Sequence, residues 1–122
     1  MSKDLHISVL LDFYGSMLTD KQRDIIELYY NEDLSLAEIA EHEKITRQGV
    51  RDSVKRAEEI LTELEQHLGL AAKFKELSNR LEEIGSLAES IHGECETYKF
   101  SREISEKSAR IMSLAGEGAE LF

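Results

Sequence analysis

The chain has no proline and no tryptophan among its 122 residues, only one cysteine, and seven glycines. Because proline is the strongest interrupter of helices, its absence lets helices run long. The single cysteine, Cys95, excludes an internal disulfide and agrees with a reducing compartment. No stretch sustains the period-two alternation that is typical of strands, whereas Leu, Glu, Lys and Ala are abundant. These features predict an all-α protein.

Long apolar runs are also missing. No segment approaches the roughly 20 apolar residues that span a bilayer. The N-terminus carries Lys3 and Asp4 rather than the basic region and apolar run of a secretory signal. We therefore expect a cytoplasmic protein that does not engage a membrane.

Catalytic and metal-binding motifs are incomplete. His92-Gly93-Glu94 matches half of a zinc deaminase signature, but the required Pro-Cys-x-x-Cys cannot occur in a chain with no proline and one cysteine. His92 and Cys95 have ligand-like spacing, yet two ligands do not close a tetrahedral zinc site. The sequence has no phosphate-binding glycine loop and no Gly-x-Ser-x-Gly nucleophile motif. We predict no enzymatic activity, no metal site and no cofactor.

The segment Ser35–Leu61 has the pattern of a helix-turn-helix. Ser35 and Glu38 form a capping box, which starts a short helix at Leu36. A break is expected at residues 42–45, after which Thr46 caps a second helix. Apolar residues at three- and four-residue spacing give that second helix one buried stripe. The stripe contains Val50, Val54, Ala57, Ile60, Leu61, Leu64 and Leu68.

The outer face of the second helix carries most of the concentrated positive charge. Residues 44–56 have a net charge of +4, whereas residues 1–43 and 57–122 each have a net charge of −7. We call this outer surface the basic face; its residues are Arg47, Gln48, Arg51, Asp52, Lys55 and Arg56. A basic patch on an acidic chain is typical of a surface that binds nucleic acid or an acidic partner. The alternative is a solvated helix face without a ligand.

Three segments carry a specific family resemblance. They are Leu10–Arg23, with Leu18-Thr19-Asp20-Lys21-Gln22-Arg23 at its end, Leu28–Ala40 with its Tyr29-Tyr30 pair, and Thr46–Arg56. Together they resemble the YlxM family of small bacterial proteins over roughly residues 5–75. That family is similar to the DNA-reading region 4 of sigma factors, so the resemblance implies a sigma region 4-like helix-turn-helix head. Its genes lie beside that of the protein subunit of the signal recognition particle, which implies a regulatory or accessory role in that pathway.

Two functions follow. In the first, the protein is an accessory factor of the signal recognition particle pathway, and its basic face contacts RNA or an acidic protein. In the second, it is a DNA-binding transcriptional regulator that acts as a homodimer. Arg47, Gln48 and Arg51 would then approach base edges, and Lys55 and Arg56 would contact phosphate. The overall acidity favours the first function, because few cations are available to neutralise phosphates.

Residues 1–68 form the predicted helix-turn-helix domain. We expect a first helix with an apolar face, and Thr19 and Gln22 predict a second capping box. Tyr29 and Tyr30 are interpreted as core residues rather than a base-stacking pair, because adjacent helix positions cannot share one flat platform. The first helix's expected apolar face comprises Leu5, Val9, Phe13 and Met17, with Leu10 and Tyr14 beside them.

Residues 69–122 form the predicted C-terminal helical extension. An apolar stripe needs a partner, and we favour a homodimer over folding back onto the head. Small residues from Gly85 to Gly93 predict a hinge or loop. One further helix is expected around Tyr98, Phe100, Ile104, Ile111 and Leu114, and residues 115–122 are interpreted as a frayed tail. The stripe comprises Leu70, Phe74, Leu77, Leu81, Ile84 and Leu87 or Ala88.

Overall fold

The computed structural model describes residues 3–98 and 102–120. Within these residues the chain forms six α-helices, which confirms the predicted all-α class. The helices are α1 (Leu5–Tyr14), α2 (Asp20–Tyr30), α3 (Leu36–Glu43), α4 (Arg47–Leu68), α5 (Leu70–Tyr98) and α6 (Arg102–Glu120), with a 3-10 turn at Gly15–Met17. They group into two compact units, Met1–Ala71 and Ala72–Phe122. We refer to these as the head unit and the hairpin unit.

Local sequence signals set where α2, α3 and α4 begin. The Thr19 and Gln22 side chains each bind the other residue's backbone N–H, and Ser35 and Glu38 do the same at α3. The Thr46 hydroxyl accepts a hydrogen bond from the Gly49 N–H at 2.9 Å. All three predicted N-caps are therefore confirmed. Such caps satisfy backbone donors that lack partners within the helix.

Two residues with left-handed backbone end helices α3 and α4. Lys44 has φ 58° and Gly69 has φ 63°. The Gly69 N–H donates to the Glu65 carbonyl oxygen at 2.8 Å, which closes the last turn of α4. Glycine adopts this conformation without the steric cost of a Cβ, so α5 can begin at the next residue.

Helix α4 connects the two apolar clusters of the head unit. Its first half, with Val50 and Val54, lies in a cluster with α2 and α3. Its second half, with Ala57 and Leu61, lies in a cluster with α1 and the start of α5. The stripe predicted for α4 is therefore confirmed over these four residues, but Leu68 is exposed. The first cluster contains Ile25, Tyr29, Ile39, Ala40, Val50 and Val54; the second contains Ile7, Leu10, Leu11, Tyr14, Leu18, Ile26, Ala57, Leu61 and Ala71.

The apolar face predicted for α1 was partly wrong. Leu10 and Tyr14 are buried as expected, but Leu5 is 79% exposed and Met17 is 62% exposed. Val9 is exposed as well. Ile7 and Leu11 take the inward positions instead. Because α1 has apolar residues on more than one side, its orientation is set by packing in the cluster that includes Ala57 and Leu61.

Two tyrosine hydroxyls link α4 to its neighbours. The Tyr14 hydroxyl donates to Glu65 Oε1 at 2.6 Å and accepts from the Leu70 N–H at 3.0 Å. The Tyr30 hydroxyl donates to Glu58 Oε1 at 2.9 Å. Burial, and then the neighbouring carboxylate, raise the pKa of each tyrosine above its ordinary value.

The interpretation of Tyr29 and Tyr30 as core residues is confirmed. Tyr29 is buried, and Tyr30 packs against both clusters. Their rings meet edge to face at 86°, with centroids 5.2 Å apart. This geometry suits aromatic packing and offers no flat platform for a base.

The hairpin unit consists of α5 and α6 running antiparallel. His92 Nδ1 lies 3.1 Å from the Ser105 carbonyl oxygen near one end of α6. Toward the other end, a Cβ added at Gly118 would lie 2.9 Å from Leu81 Cδ1, and one added at Gly85 would lie 3.3 Å from the Ala115 Cβ. Residues progressively earlier in α5 therefore contact residues progressively later in α6, as expected for two antiparallel helices. The helices therefore approach closely through small residues.

Three expectations for the C-terminal region were wrong. Tyr98, which was expected in the last helix, is the last residue of α5. Residues 85–93 form no hinge, because α5 is continuous from Leu70 to Tyr98. The chain from Ala115 to Glu120 is helical rather than frayed, because α6 extends to Glu120. Packing of Gly85 and Ala115 against each other explains why this glycine does not interrupt the helix. Phe100, Leu121 and Phe122 lie outside the described residues.

Candidate nucleic-acid interface

The candidate interface is the outer side of the first half of α4. Val50 and Val54 are fully buried against the cluster that contains Ile25 and Ile39. This packing fixes the rotation of α4 and turns the opposite side to solvent. Of the predicted site residues, Arg51 is half-buried; Arg47, Gln48, Asp52, Lys55 and Arg56 are exposed. The basic face therefore exists as a surface on one helix.

Arg47, Gln48 and Arg51 share a shallow depression with the start of α3. The depression is also lined by Ser35, Leu36 and Ala37. The N-terminal end of a helix carries a partial positive charge from its backbone dipoles. Two guanidinium groups thus border one concave surface, an arrangement that favours an anion such as a phosphate. The Glu38 carboxylate, in the first turn of α3, offsets the positive end of that helix.

Gln48 is tied to the one acidic residue of the basic face. Its Nε2 donates to Asp52 Oδ1 at 2.9 Å, across one helical turn. This bond restrains the Gln48 amide, a group that can hydrogen-bond base edges. Asp52 also lowers the positive charge next to the two arginines.

Lys55 and Arg56 lie in a more acidic setting than the start of α4. Arg56 Nη1 is 3.4 Å from Glu59 Oε2. Lys55 lines a groove together with Asp4, Glu58 and Glu59. The positive charge of the basic face is therefore least compensated around Arg47 and Arg51.

Lys44 is a further exposed cation close to the basic face, and it was not among the residues predicted for that face. It is exposed in the turn between α3 and α4, three residues before Arg47. Its left-handed backbone conformation is what redirects the chain into α4. The net charge of residues 44–56 includes Lys44 and could have pointed to it. That charge does not predict the conformation of the turn.

The other chemically interesting residues form no comparable site. Among residues 3–98 and 102–120, no group of three or more His, Cys, Asp or Glu side chains is placed to hold a metal ion. Cys95 is buried, and His92 contacts Ser105. Within the same described residues, no helix has the length and apolar character needed to cross a membrane.

The fold and the exposed basic face together define a helix-turn-helix protein. α3 and α4, joined by the turn at Lys44, form the motif, and α1 and α2 supply its supporting core. The chain belongs to the UPF0122 family, described as "Putative helix-turn-helix protein, YlxM / p13 like", whose sequence model matches residues 1–100. The predicted family resemblance is thereby confirmed.

Individual relatives support the same assignment. The UPF0122 protein of Desulforamulus reducens is 54% identical over 86 residues, covering 70% of this chain and 74% of the relative. The UPF0122 protein of Acetivibrio thermocellus is 50% identical over 84 residues, covering 69% and 72%. That of Clostridium kluyveri is 42% identical over 94 residues, covering 77% and 85%.

Proposed function

We propose that this protein is a regulatory or accessory factor of the signal recognition particle pathway that binds RNA through the basic face of α4. The observation that carries the proposal is the concentration of positive charge at the exposed start of α4 in a chain of net charge −10. An acidic chain repels phosphate overall, so its attraction for RNA must come from a local surface. The pathway itself is inferred from the family resemblance.

The charge distribution favours an accessory role over independent binding to duplex DNA. Affinity for DNA grows with the number of phosphates that Lys and Arg neutralise. Arg56 is paired with Glu59, and Lys55 lies beside carboxylates. Lys44, Arg47 and Arg51 are then the principal cations. About three phosphate contacts give weak binding to any nucleic acid at physiological salt. The protein then needs further contacts, which an intact particle can supply and a duplex of random sequence cannot.

A DNA-binding regulator is the second candidate, and the side chains at the start of α4 favour it. Arg47, Gln48 and Arg51 are of the types that read guanine and adenine edges in the major groove. A second helix-turn-helix helix presents such residues from its N-terminal turns. In this case sequence-specific contacts would have to compensate for the small number of phosphate contacts.

The test is binding of the full chain to three ligands as salt is raised from about 50 to about 200 mM. The ligands are the signal recognition particle RNA, the intact particle, and duplex DNA of random sequence. We expect the particle and its RNA to bind with a measurable salt dependence and duplex DNA to bind at least about 10-fold more weakly.

The matched variants are Arg47→Glu with Arg51→Glu on the basic face and two charge reversals elsewhere. Arg110→Glu and Lys21→Glu reverse the same number of charges at exposed positions on α6 and α2. The basic-face pair should abolish RNA binding, whereas the control pair should leave most of it. Equal binding by both double variants would refute the basic face as the site. Tight, sequence-selective duplex binding would instead establish the DNA-binding regulator.

A further inference from the structure

The hairpin unit has a regular inward side. Buried and half-buried residues recur every three or four positions, which is the heptad spacing of paired helices. On α5 from residue 74 these are Phe74, Ser78, Leu81, Gly85, Ala88, His92 and Cys95. On α6 they are Ser105, Ser108, Met112 and Ala115, followed by Gly118 and Ala119. Most of these residues are small, so the contact between α5 and α6 covers little apolar area.

Large aliphatic side chains are left outside this contact, in one consistent position. Each directly precedes an inward residue, as Leu77 precedes Ser78 and Ile111 precedes Met112. Their exposed fractions range from 43% to 59%. They are Leu77, Ile84, Leu87, Ile91, Ile104, Ile111 and Leu114, and we call them the aliphatic face.

The helix geometry places all seven on one side of the hairpin. A residue that precedes an inward residue is rotated by about 100° from it, always in the same direction. Because α5 and α6 run antiparallel, the same rotation points toward the same side from both helices. The opposite side has a groove bordered by Glu82, Ser86, Glu89 and Gly116. One side is therefore aliphatic, and the other is acidic with small residues.

The aliphatic face is large enough to be an interface. From Leu77 to Ile91 it extends about 21 Å along α5. Across two helices spaced 8–10 Å apart it is about 20 Å wide, so it covers roughly 400 Å² in projection. Protruding side chains add accessible area, toward the approximately 800 Å² per partner of a standard interface. Arg80 and Lys107 lie among these aliphatic side chains, and an apolar patch of this size on a monomer often marks an interaction surface.

The charges on the same face are complementary to those of a second copy. Arg80 directly precedes Leu81 and Glu94 directly precedes Cys95, so both lie on the aliphatic face. Arg80 and Glu94 are seven residues before and after Leu87. A twofold axis beside Leu87 therefore brings Arg80 of each copy opposite Glu94 of the other. It also brings Ile84 of each copy close to Ile91 of the other.

We propose that the aliphatic face binds the aliphatic face of a second copy of this chain, so that two hairpins form an antiparallel four-helix bundle with its twofold axis beside Leu87. Two hairpins with the same heptad spacing can pack along their whole length at the shallow angle of helix bundles. This dimer is independent of the ligand of α4. Its formation does not require the proposed function to be correct.

The test is the molar mass of the full chain in solution, by sedimentation equilibrium from about 1 to about 100 µM. We expect a mass twice that of the 13.9 kDa chain. Leu87→Glu should weaken the dimer at least about 100-fold, because it places a carboxylate in the apolar contact of both copies. Ser86→Glu is the matched control, since it adds the same charge to the other side of α5 and should leave the dimer intact.

A charge reversal tests the antiparallel arrangement. Arg80 also pairs with Glu76 of its own helix at 2.5 Å. Arg80→Glu alone removes that pair, replaces attraction by repulsion with Glu94 and should weaken the dimer about 10-fold. Adding Glu94→Arg in the same chain should restore most of the affinity, because the facing charges are opposite again. Circular dichroism of each variant establishes that α5 and α6 remain helical. A monomeric wild-type chain, an unaffected Leu87→Glu dimer, or no rescue by Glu94→Arg would overturn the proposal.

Discussion

The head unit and the hairpin unit bury different kinds of side chain. The largest fully buried residues, among them Tyr14, Ile26, Ile39 and Leu61, all lie in the head unit. The buried residues in the described part of the hairpin unit are Ala88, Cys95, Ser108 and Ala115. Burial of large apolar side chains is the main favourable term in folding. The head unit thus stabilises itself, whereas the hairpin unit leaves its largest aliphatic residues available for another contact.

The strongest way to test this contrast is to remove one leucine from each unit. Leu61→Ala empties a fully buried position in the head unit and should lower the free energy of unfolding by about 2–5 kcal/mol. Leu77→Ala removes a side chain that is exposed in the single chain and should cost under about 0.5 kcal/mol at concentrations too low for the proposed dimer to form. Urea denaturation followed by circular dichroism measures both. Equal losses would contradict the assignment of the main core to the head unit.

The polar link at the end of α4 should have a smaller effect. Tyr14→Phe keeps the ring but removes the hydroxyl that binds Glu65 and the Leu70 N–H. The Leu70 N–H and the Glu65 carboxylate then lose a partner, and we expect the melting temperature to fall by about 5 °C. Phe13→Tyr is a useful control, since it adds a hydroxyl at the neighbouring, half-buried ring. An unchanged melting temperature for Tyr14→Phe would show that water replaces the lost contacts.

Two glycines of α5 should respond differently to alanine. A Cβ at Gly93 meets no atom within 4 Å, so Gly93→Ala should stabilise the helix by about 0.5–1 kcal/mol. A Cβ at Gly85 would approach the Ala115 Cβ to 3.3 Å. Crowding should therefore offset the same gain in Gly85→Ala. Thermal unfolding of the two variants compares them, and an equal gain in both would refute close packing at Gly85.

The smallest effect near neutral pH concerns the raised pKa values of Tyr14 and Tyr30. In the unfolded chain both hydroxyls ionise near pH 10, whereas in the folded chain they hold their protons to higher pH. The free energy of unfolding is therefore unaffected below pH 10 and falls as the pH rises above it. Denaturation at pH 9 and pH 11 measures this loss. Tyr14→Phe with Tyr30→Phe should reduce the pH dependence, and an unchanged slope would contradict the assignment.

The order of helices within the head unit followed from local signals, but the orientation of α1 did not. Thr19, Ser35 and Thr46 each cap a helix through atoms at most three residues away. Such interactions are present wherever the sequence occurs, which makes them predictable. The inward side of α1 depends instead on Ala57 and Leu61, about 50 residues further along the chain. Because α1 carries apolar residues on several sides, its own sequence does not predict which side faces the core.

The candidate interface also combines features that local sequence signals predict with features that depend on tertiary packing. The charge pattern and the capping residues placed the basic face on the second helix of the motif, and the buried Val50 and Val54 explain why it is exposed. The unequal surroundings of its cations could not be predicted. Lys55 lines the same groove as Asp4, the N-cap of α1, and that groove exists only after α1 and α4 pack.

The sequence by itself determined the helical class, the starts of α2, α3 and α4, the family and the position of the basic residues. The helical class and the helix starts depend on composition and on interactions between residues one turn apart, whereas the family was predicted from the resemblance of three segments. The tertiary structure alone decided that Gly85 and Gly118 lie within a helical hairpin and that seven aliphatic residues share one exposed side. The reason is that glycine weakens an isolated helix but permits close approach of a second one. Only the contact between α5 and α6 determines which of these effects prevails.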